Sequence, residues 1–338
     1  MRILIDINHP ADVHQFKNFI WAMEEKGHKF KIVARKKEHT LELLKAYGFD
    51  FEQRQGYSGF KKIFGLYTIN KKLYKLAKSF NPDLLIGGPG DCYVSQTAFL
   101  LGKQSLIFDD TEFSKVQNWL TFPFATKILT PSCFWLDLGE KQVKYNGYHE
   151  IAYLHPKYFH PNINVVKKAG VNPNQKFALI RLVSWEASHD IGGRGITNPV
   201  EMIRALEKYG KVYISSEKEL PKNLKKYKLK IKPESIHHIL YYATLLIGES
   251  STMASECAVL GTPAIFISNS QRGYTQEQED KYGLVHHFGS QEEAIEKAVE
   301  ILKKPNIKKE WHNKRDKMLK DKIDVTKWMM DFVESFPI

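Results

Sequence analysis

Short apolar runs alternate along the chain with longer segments in which apolar residues recur at helical spacing. The first half contains five runs typical of buried strands: Ile3–Ile7, Phe30–Ala34, Leu84–Ile86, Ser105–Phe108 and Lys127–Thr130. Segments with a helical pattern lie between them, and the longest, Ile63–Phe80, carries its apolar residues on one side. Strands that alternate with helices in this way predict a doubly wound, mostly parallel sheet.

The alternation is interrupted once, near the middle of the chain. Residues 147–174 are rich in His, Pro, Tyr and Asn and show no periodicity, which is typical of a domain boundary. Strands then resume at Phe177–Val183, Lys211–Ser215, Leu245–Ile247 and Ala264–Ile267. We therefore predict an α/β fold of two Rossmann-like, doubly wound domains that face each other across a ligand-binding cleft. The predicted domains are 1–155 and 165–320, and residues 321–338 are expected to form a helix that packs back on the first domain.

Composition restricts the classes of function. The 338 residues are 43% hydrophobic and 26% charged, as in soluble globular proteins. The apolar run at the N-terminus is too short for a signal peptide, and no run approaches the roughly 18 residues that span a bilayer. The three cysteines, Cys92, Cys133 and Cys257, lack the paired spacing of a zinc site or a disulfide framework. These features predict a cytoplasmic protein with reduced cysteines.

The formal net charge of +12 comes mainly from lysines in three runs, Lys61–Lys78, Lys218–Lys232 and Lys303–Lys322. None of these runs carries a nucleic-acid recognition motif, so we expect no nucleic-acid partner. A solvated surface is the default explanation for such runs. The alternative is peripheral contact with an anionic membrane at the inner face.

The segment Gly248–Ile267 carries the most specific pattern. It predicts a strand, a tight turn, a helix, a second turn at Gly261 and another strand. Ser250, Ser251 and Thr252 stand where the helix begins, and a helix N-terminus with free N–H groups binds anions. Glu256, one turn further, is placed to reach ribose hydroxyls. The segment therefore indicates a nucleotide-diphosphate site, although helix capping alone also accounts for the serines.

The loop after the first strand holds two histidines and an aspartate. His14 falls in the first turn of a helix, where the dipole favours a neutral, proton-accepting imidazole, and we predict that it is a general base. The alternative is that Asp12 caps the helix and His14 packs against a neighbouring loop. A metal site built from His9, Asp12 and His14 has no distinctive spacing, and we predict none.

Two further loops follow strands in the first half. Gly87–Asp91 resembles a ligand-approach turn but lacks the third glycine of a dinucleotide fingerprint, so a plain tight turn is favoured. The next loop holds three carboxylates, Asp109, Asp110 and Glu112, which are suited to binding a metal, orienting an acceptor hydroxyl or acting as a base. Helix capping by Asp110 is the structural alternative.

The second half adds residues for a donor. Arg181, at the end of a strand, is suited to neutralising a diphosphate, and Ser184 follows it. His237 is interpreted either as flanking a nucleobase or sugar or as a surface histidine. Arg272 and Tyr274 lie in a polar segment, Ser268–Gln278, that is predicted to contact the donor sugar.

With these residues in view, the chain resembles the GT-B superfamily of nucleotide-sugar enzymes, and within it the DUF354 family. The resemblance rests on Asp6–Asn18, on Phe108–Glu112 with Thr130 and Pro131, and on Gly248–Pro263. The last segment is also similar to the donor-binding segment of MurG-type N-acetylglucosaminyltransferases and of non-hydrolysing UDP-GlcNAc 2-epimerases. The resemblance implies that Gly248, Ser250, Ser251 and Thr252 bind the diphosphate and that Glu256 binds the ribose.

For the first domain, the resemblance implies an acceptor side. His14 or His9 matches a histidine that MurG-type enzymes carry in their first strand-to-helix loop, and we place Asp12 and Asp91 on the same side. The sequence departs from these families at two places. Asn8–Ala11 replaces the glycine-rich first loop of the MurG-type enzymes. Ser184–His189 replaces the His-Arg loop of the epimerases.

The function expected from this resemblance is an inverting, metal-independent glycosyltransferase that needs no cofactor besides its substrates. It would move a sugar from a UDP-sugar to a hydroxyl of a glycan or lipid-linked acceptor in surface polysaccharide or glycolipid assembly. A nucleotide-sugar epimerase and a non-catalytic nucleotide-sugar binding protein are the alternatives.

Overall fold

A computed structural model describes residues 1–57, 61–183, 195–216 and 218–338, with the backbone alone in 61–64. The chain divides into two compact units. The first unit consists of Met1–Tyr153 together with Ile323–Ile338, and the second of Leu154–Lys322. No helix among these described residues is both long and apolar enough to cross a membrane.

The first unit is built on a seven-stranded sheet in which every neighbouring pair is parallel, in the order β3-β2-β1-β4-β5-β6-β7. Its strands are β1 (Arg2–Ile7), β2 (Lys29–Arg35), β3 (Phe51–Arg54), β4 (Leu84–Gly87), β5 (Gln104–Phe108), β6 (Lys127–Pro131) and β7 (Gln142–Tyr145). The central strands are continuous apolar runs because both of their faces are covered by helices.

Six helices accompany this sheet: α1 (Pro10–Glu25), α2 (Thr40–Ala46), α3 (Lys61–Phe80), α4 (Cys92–Leu101), α5 (Lys115–Thr121) and α6 (Ile151–Leu154). On one face, Leu4, Val33, Leu85, Ile107 and Ile128, one from each of five strands, pack in a single buried cluster with residues of α3 and α4. This core fixes the register of the strands, and so it aligns the loops that follow their carboxyl ends.

The second unit carries a five-stranded parallel sheet in the order β12-β11-β10-β8-β9. Its strands are β8 (Phe177–Leu182), β9 (Lys211–Ser216), β10 (Leu245–Gly248), β11 (Ala264–Ile267) and β12 (Val285–Phe288). Its helices are α7 (Ile163–Lys168), α8 (Pro199–Leu206), α9 (Ile236–Tyr242), α10 (Ser251–Leu260), α11 (Gly273–Asp280), α12 (Gln291–Lys303) and α13 (Ile307–Asp321).

The C-terminal residues return to the first unit. The sequence predicts one helix over residues 321–338, but the backbone is extended at Lys322. Asp324 then caps a helix that begins one residue later, α14 (Val325–Ser335), by accepting from the Lys327 N–H at 3.0 Å. The Thr326 hydroxyl donates to the Ala152 carbonyl at 2.7 Å. The Trp328 ring stacks on the Tyr145 ring with centroids 4.6 Å apart. These contacts attach α14 to the first unit.

The sequence pattern misses three edge strands and four helices, namely α5, α6, α7 and α11. β3, β7 and β12 carry polar or partly exposed residues, because an edge strand is paired on one side only. α5 follows a polar loop and exposes apolar side chains, which hides its helical period. The predicted polar segment Ser268–Gln278 is largely the helix α11, in which Gly273, Tyr274, Thr275 and Gln278 are buried.

Candidate functional site

In the first unit, the loops after β1, β4, β5 and β7 lie along one edge of the sheet, because parallel strands share the direction of their carboxyl ends. Their polar side chains form connected groups.

A buried ion pair that the sequence did not single out anchors this edge. The guanidinium of Arg54, at the end of β3, donates to both carboxylate oxygens of Asp6 on β1 at 2.8–3.1 Å. Both side chains are almost fully buried, so the bidentate geometry compensates for their desolvation.

Asp91 extends this network to the loop after β4. Its Oδ2 accepts from the Asn8 side-chain amide at 3.0 Å. Its Oδ1 accepts from the N–H groups of Tyr93 and Val94 at 3.1 Å each, which caps α4. Burial raises the pKa of Asp91 well above its ordinary value. Asp91 therefore has a clear structural role at the predicted acceptor side.

His9 and Asp12 cap α1 in a reciprocal arrangement. Asp12 Oδ2 accepts from the N–H groups of Asn8 and His9 at 2.8 and 3.0 Å, and His9 Nδ1 accepts from the Ala11 N–H at 3.2 Å. This is the capping alternative foreseen for Asp12. Burial outweighs both hydrogen bonds and raises the pKa of Asp12 to about 6. A Cβ on Gly88 would lie 2.8 Å from Asp12 Oδ1, so glycine is needed for the loops to approach.

His14 lies among aromatic side chains. Its Nδ1 is 3.2 Å from the Tyr47 hydroxyl, and its ring stacks on Tyr153 with centroids 5.3 Å apart. The side chain is buried. These contacts agree with the alternative in which His14 only packs against its neighbours. They agree equally with a general base that Tyr47 orients, so the catalytic role of His14 stays a prediction.

The loop after β5 holds a carboxyl whose pKa is strongly raised. Asp109 is fully buried and accepts from the N–H groups of Thr111 at 2.8 Å and Gly90 at 3.3 Å. Desolvation outweighs these bonds and raises its pKa to about 7. Glu112 is buried on the same loop. A buried carboxyl that titrates near neutrality is typical of functional sites.

Asp110 pairs with a histidine that the sequence analysis assigned only to the domain boundary. Asp110 Oδ2 lies 3.2 Å from His149 Nδ1, and Asp110 Oδ1 accepts from the Thr111 hydroxyl at 3.1 Å. Burial by itself lowers the pKa of His149, but the Asp110 carboxylate, helped by Glu150 and Asp109, outweighs burial, so the pKa lies above its ordinary value of 6.5. The opposite ring nitrogen, Nε2, is buried and has no hydrogen-bond partner among the described residues. This carboxylate–imidazole pair can accept a proton.

The only signal that could have indicated His149 is its place after β7. That strand was missed because Gln142–Tyr145 is a polar edge strand. The imidazole lies parallel to the Tyr145 ring, with centroids 6.3 Å apart, and has Phe108 at its edge. The aromatic rings therefore fix the orientation of the imidazole against Asp110.

In the second unit, the turn between β10 and α10 has the geometry of an anion site. Ser250 is the N-cap, and its hydroxyl accepts from the Met253 N–H at 3.2 Å. The N–H groups of Ser251 and Thr252 have no acceptor among the residues the structure describes. Such unsatisfied N–H groups at a helix start attract anions. A Cβ on Gly248 would come within 2.6 Å of Arg181 Cβ. Because glycine has no Cβ, the ends of β10 and β8 can lie close together.

The structure joins two of the predicted donor residues in one hydrogen-bonded pair. Glu256 Oε1 lies 2.9 Å from His237 Nε2, and both side chains are almost fully buried. His237, on α9, in turn meets the Phe159 ring edge-on, with centroids 6.1 Å apart. The surface-histidine interpretation of His237 is therefore wrong. The pairing fixes the Glu256 carboxylate within the first two turns of α10.

The remaining predicted donor residues fall into separate contacts. The Tyr274 hydroxyl donates to the Ser251 hydroxyl at 3.0 Å, which links α11 to the start of α10. Arg272 Nη1 donates to the Ser270 hydroxyl at 3.3 Å, and Arg181 Nη1 donates to the Ser215 hydroxyl at 3.0 Å. Ser184 lies outside the described residues.

Glu249, the residue before the N-cap, has a structural role that the sequence did not indicate. Its carboxylate accepts from the Val183 N–H at 2.8 Å and from the Ile196 N–H at 3.0 Å. It therefore holds the exit of β8 against the turn before α10. Across the described ranges, no group of three or more His, Cys, Asp or Glu side chains is arranged to hold a metal ion.

Comparison with solved structures reveals close folds at low sequence identity. UDP-GlcNAc 2-epimerase from Neisseria meningitidis, solved with UDP-GlcNAc bound, is 14% identical with a TM-score of 0.73, over 99% of this chain and 100% of that one. The UDP-GlcNAc 2-epimerase from Methanocaldococcus jannaschii, in complex with UDP-GlcNAc and UDP, is 16% identical with a TM-score of 0.68, over 90% and 93%. A glycosyltransferase from Streptomyces sp. SF2575 is 11% identical with a TM-score of 0.62, over 99% and 100%.

These likenesses show the fold. Two parallel sheets with flanking helices, shared with epimerases and glycosyltransferases over nearly the whole chain, confirm the predicted GT-B architecture. No curated protein matches the sequence. The family described as "Protein of unknown function (DUF354)" matches residues 1–335. The predicted family is thereby confirmed, and the chain belongs to the DUF354 family.

Proposed function

We propose that this protein is a glycosyltransferase that moves a sugar from a UDP-sugar to an acceptor hydroxyl. The observation that carries the proposal is the pair of the partly exposed Asp110 and the buried His149 at the strand ends of the first unit. Attack by a sugar hydroxyl needs a base, and this pair supplies one. The nucleotide-sugar is a substrate, and the proposal includes no further cofactor.

The donor half of the proposal rests on α10. The N–H groups of Ser251 and Thr252 and the dipole of the ten-residue helix are suited to a diphosphate. Glu256, oriented by His237, is assigned to the ribose hydroxyls. Gly248 lets the turn come close to Arg181, which we assign to the charge that develops on the leaving diphosphate. The neighbours solved with UDP-GlcNAc support UDP as the nucleotide.

The acceptor half assigns the proton. Within the pair, Asp110 is the member that meets the acceptor, because its side chain is 14% exposed against 8% for His149. The acceptor oxygen attacks the anomeric carbon as its proton passes to the pair, and the bond to the diphosphate breaks on the opposite face. The stereochemical outcome is therefore inversion. His14 is the other candidate base, held by Tyr47 and Tyr153.

Product analysis tests the transferase. The protein is screened by thermal shift with UDP, GDP, dTDP and CMP and their sugars, since a bound ligand raises the melting temperature by mass action. The stabilising nucleotide-sugar is then incubated with glycan and lipid-linked acceptors. His149→Asn keeps a donor for Asp110 but removes the imidazole that takes up the proton with it, so we expect the turnover number to fall about 10²–10⁴-fold. His14→Ala is the companion variant, and a greater loss there would transfer the role of base to His14.

The same assay checks the remaining features. Turnover that survives a chelator agrees with a mechanism in which Arg181 and α10 stabilise the diphosphate. A product with the sugar in the retained configuration would contradict inversion. We place the reaction in surface polysaccharide or glycolipid assembly on the cytoplasmic side, and the chemical class of the productive acceptor tests that assignment.

An epimerase is the second candidate, and two observations favour it. The epimerases of Neisseria and Methanocaldococcus have higher TM-scores than the Streptomyces transferase. Burial also brings the pKa values of Asp12 and Asp109 to about 6 and about 7, and epimerisation needs two acid–base groups beside one carbon. Incubation of UDP-GlcNAc with the protein alone separates the candidates. An epimerised sugar formed without any acceptor would contradict the transferase.

A further inference from the structure

The first unit exposes a cluster of large apolar side chains that the proposed reaction does not use. It consists of Phe113, Val116, Trp119, Trp135 and Leu136, and we call it the α5 patch. Trp119 and Val116 are 75% and 73% exposed, and the other three are 39–48% exposed. Single exposed apolar residues are common, but a group of five with two indoles marks an interaction surface.

The patch is a built surface held by a fixed backbone. Val116 and Trp119 are three residues apart on α5 and share one face of the helix. The Phe113 ring meets the Trp135 ring edge-on, with centroids 5.6 Å apart, and this contact joins α5 to the β6–β7 connection. Phe134, the residue before Trp135, is buried, and Gln142 Nε2 donates to the Leu136 carbonyl at 3.1 Å.

The segment that carries the patch is also cationic. Residues 113–144 contain four lysines, Lys115, Lys127, Lys141 and Lys144, against two acidic residues, Asp137 and Glu140. Within the described part of the chain none of these lysines forms a salt bridge. The Asp137 carboxylate accepts from the Gly139 N–H at 3.0 Å, so one of the acids is already engaged. Lys127 Nζ donates to the Glu140 carbonyl at 2.8 Å, and Lys141 Nζ donates to the Phe122 and Pro123 carbonyls at 3.1 and 2.7 Å. The segment that carries the aromatic rings therefore holds more positive than negative charge.

We propose that the α5 patch docks the protein on a lipid bilayer that contains anionic headgroups. Indole and phenyl rings favour the boundary between headgroups and acyl chains, where the apolar body is buried and the polar edge stays wet. Flanking lysines add attraction to anionic lipid. A second copy of the chain is a poorer occupant, because pairing through the patch would bring the same lysines together.

The position of the patch gives docking a consequence for the acceptor. Phe113 directly follows the loop Asp109–Glu112, which carries Asp110, the carboxylate of the proposed catalytic pair. A bilayer bound at the patch therefore lies next to the acceptor loop, which suits an acceptor anchored in lipid. This consequence rests on the proposed function, whereas the docking does not. The lysine-rich runs considered from the sequence, 61–78, 218–232 and 303–322, lie outside the patch.

Vesicle sedimentation tests the docking in the absence of any substrate. The full chain is mixed with vesicles of phosphatidylcholine alone and with vesicles that also contain phosphatidylglycerol. We expect binding to the anionic vesicles, weakening as salt is raised. Trp119→Ala should lower the partition coefficient about tenfold, the loss expected when one indole no longer enters the interface. Lys115→Glu should weaken binding to the anionic vesicles only.

Tyr67→Ala is the matched control. Tyr67 lies on α3 of the same unit, is 68% exposed and is outside the patch, so this variant should bind vesicles like the wild type. Circular dichroism checks that each variant is folded. A wild type that stays in solution with both vesicles, or a Trp119→Ala variant that binds undiminished, would overturn the proposal. Concentration-dependent dimerisation that Trp119→Ala abolishes would overturn it in favour of a second copy.

Discussion

Asp109→Asn offers a direct test of the electrostatics at the strand ends. The wild-type carboxyl is fully buried, and burial raises its pKa from 3.8 to about 7. The native state therefore keeps a proton in this pH interval that the unfolded chain has lost. Since the native state binds more protons, the free energy of unfolding falls as the pH rises through the interval. Asparagine does not titrate, so this contribution disappears in the variant.

The size of the effect follows from the two pKa values. One pKa unit corresponds to about 1.4 kcal/mol, so the wild type should lose about 3 kcal/mol between about pH 5 and pH 8 from this group. Asparagine keeps an oxygen for the Thr111 N–H at 2.8 Å but turns its amide toward the Gly90 N–H. That mismatch costs about 1 kcal/mol at every pH. The difference between variant and wild type should therefore shift by about 3 kcal/mol in favour of the variant as the pH rises.

Urea unfolding at a series of pH values measures this difference. Tryptophan fluorescence and far-ultraviolet circular dichroism are followed together, so that separate transitions of the two units are recognised. Asp50→Asn removes an exposed carboxyl of the same unit and should leave the pH profile parallel to that of the wild type. A parallel profile for Asp109→Asn, with a constant difference from pH 5 to pH 8, would refute the reasoning.

Three other variants probe the neighbouring parts of the account. Gly248→Ala should destabilise the second unit by about 2 kcal/mol, because the new Cβ meets the backbone of β8, and thermal unfolding checks this. His237→Ala should cost about 3 kcal/mol in urea unfolding, since it leaves the buried Glu256 carboxylate without its imidazole. Asp110→Asn should lower the turnover number, because it removes the group that meets the acceptor. It should also move the acid limb of the pH–rate profile of the remaining activity to lower pH, because the carboxylate that raises the pKa of His149 is gone. An unmoved limb would exclude the pair as the titrating base.

The sequence predicts the fold well where apolar runs are continuous. The central strands β1, β4, β5, β8, β10 and β11 are buried on both faces, so each appears as an unbroken run that hydrophobicity alone reveals. Edge strands have one unpaired side and carry polar residues, so β3, β7 and β12 give no such run. The missed strands then conceal the residues that follow them.

The candidate site divides in the same way. The donor turn is local in sequence, since the N-cap Ser250 and the helix residue Glu256 lie within seven positions, and capping rules predict it. The contacts that complete it are distant in sequence, as with His237 and Glu256. Asp110 and His149 are 39 positions apart in the sequence, and only the register of β5, β6 and β7 brings them together. No local pattern encodes such a pairing.

Isothermal titration of UDP into the purified chain tests the central claim most directly. If α10 is the donor site, UDP should bind the wild type at one site per chain. Glu256→Ala should weaken that binding at least about tenfold, as expected when a charged hydrogen bond to the ribose is lost. Glu292→Ala, an exposed glutamate at the start of α12, should bind like the wild type. Absence of binding by UDP and every other nucleoside diphosphate, or equal affinity in Glu256→Ala, would contradict the account.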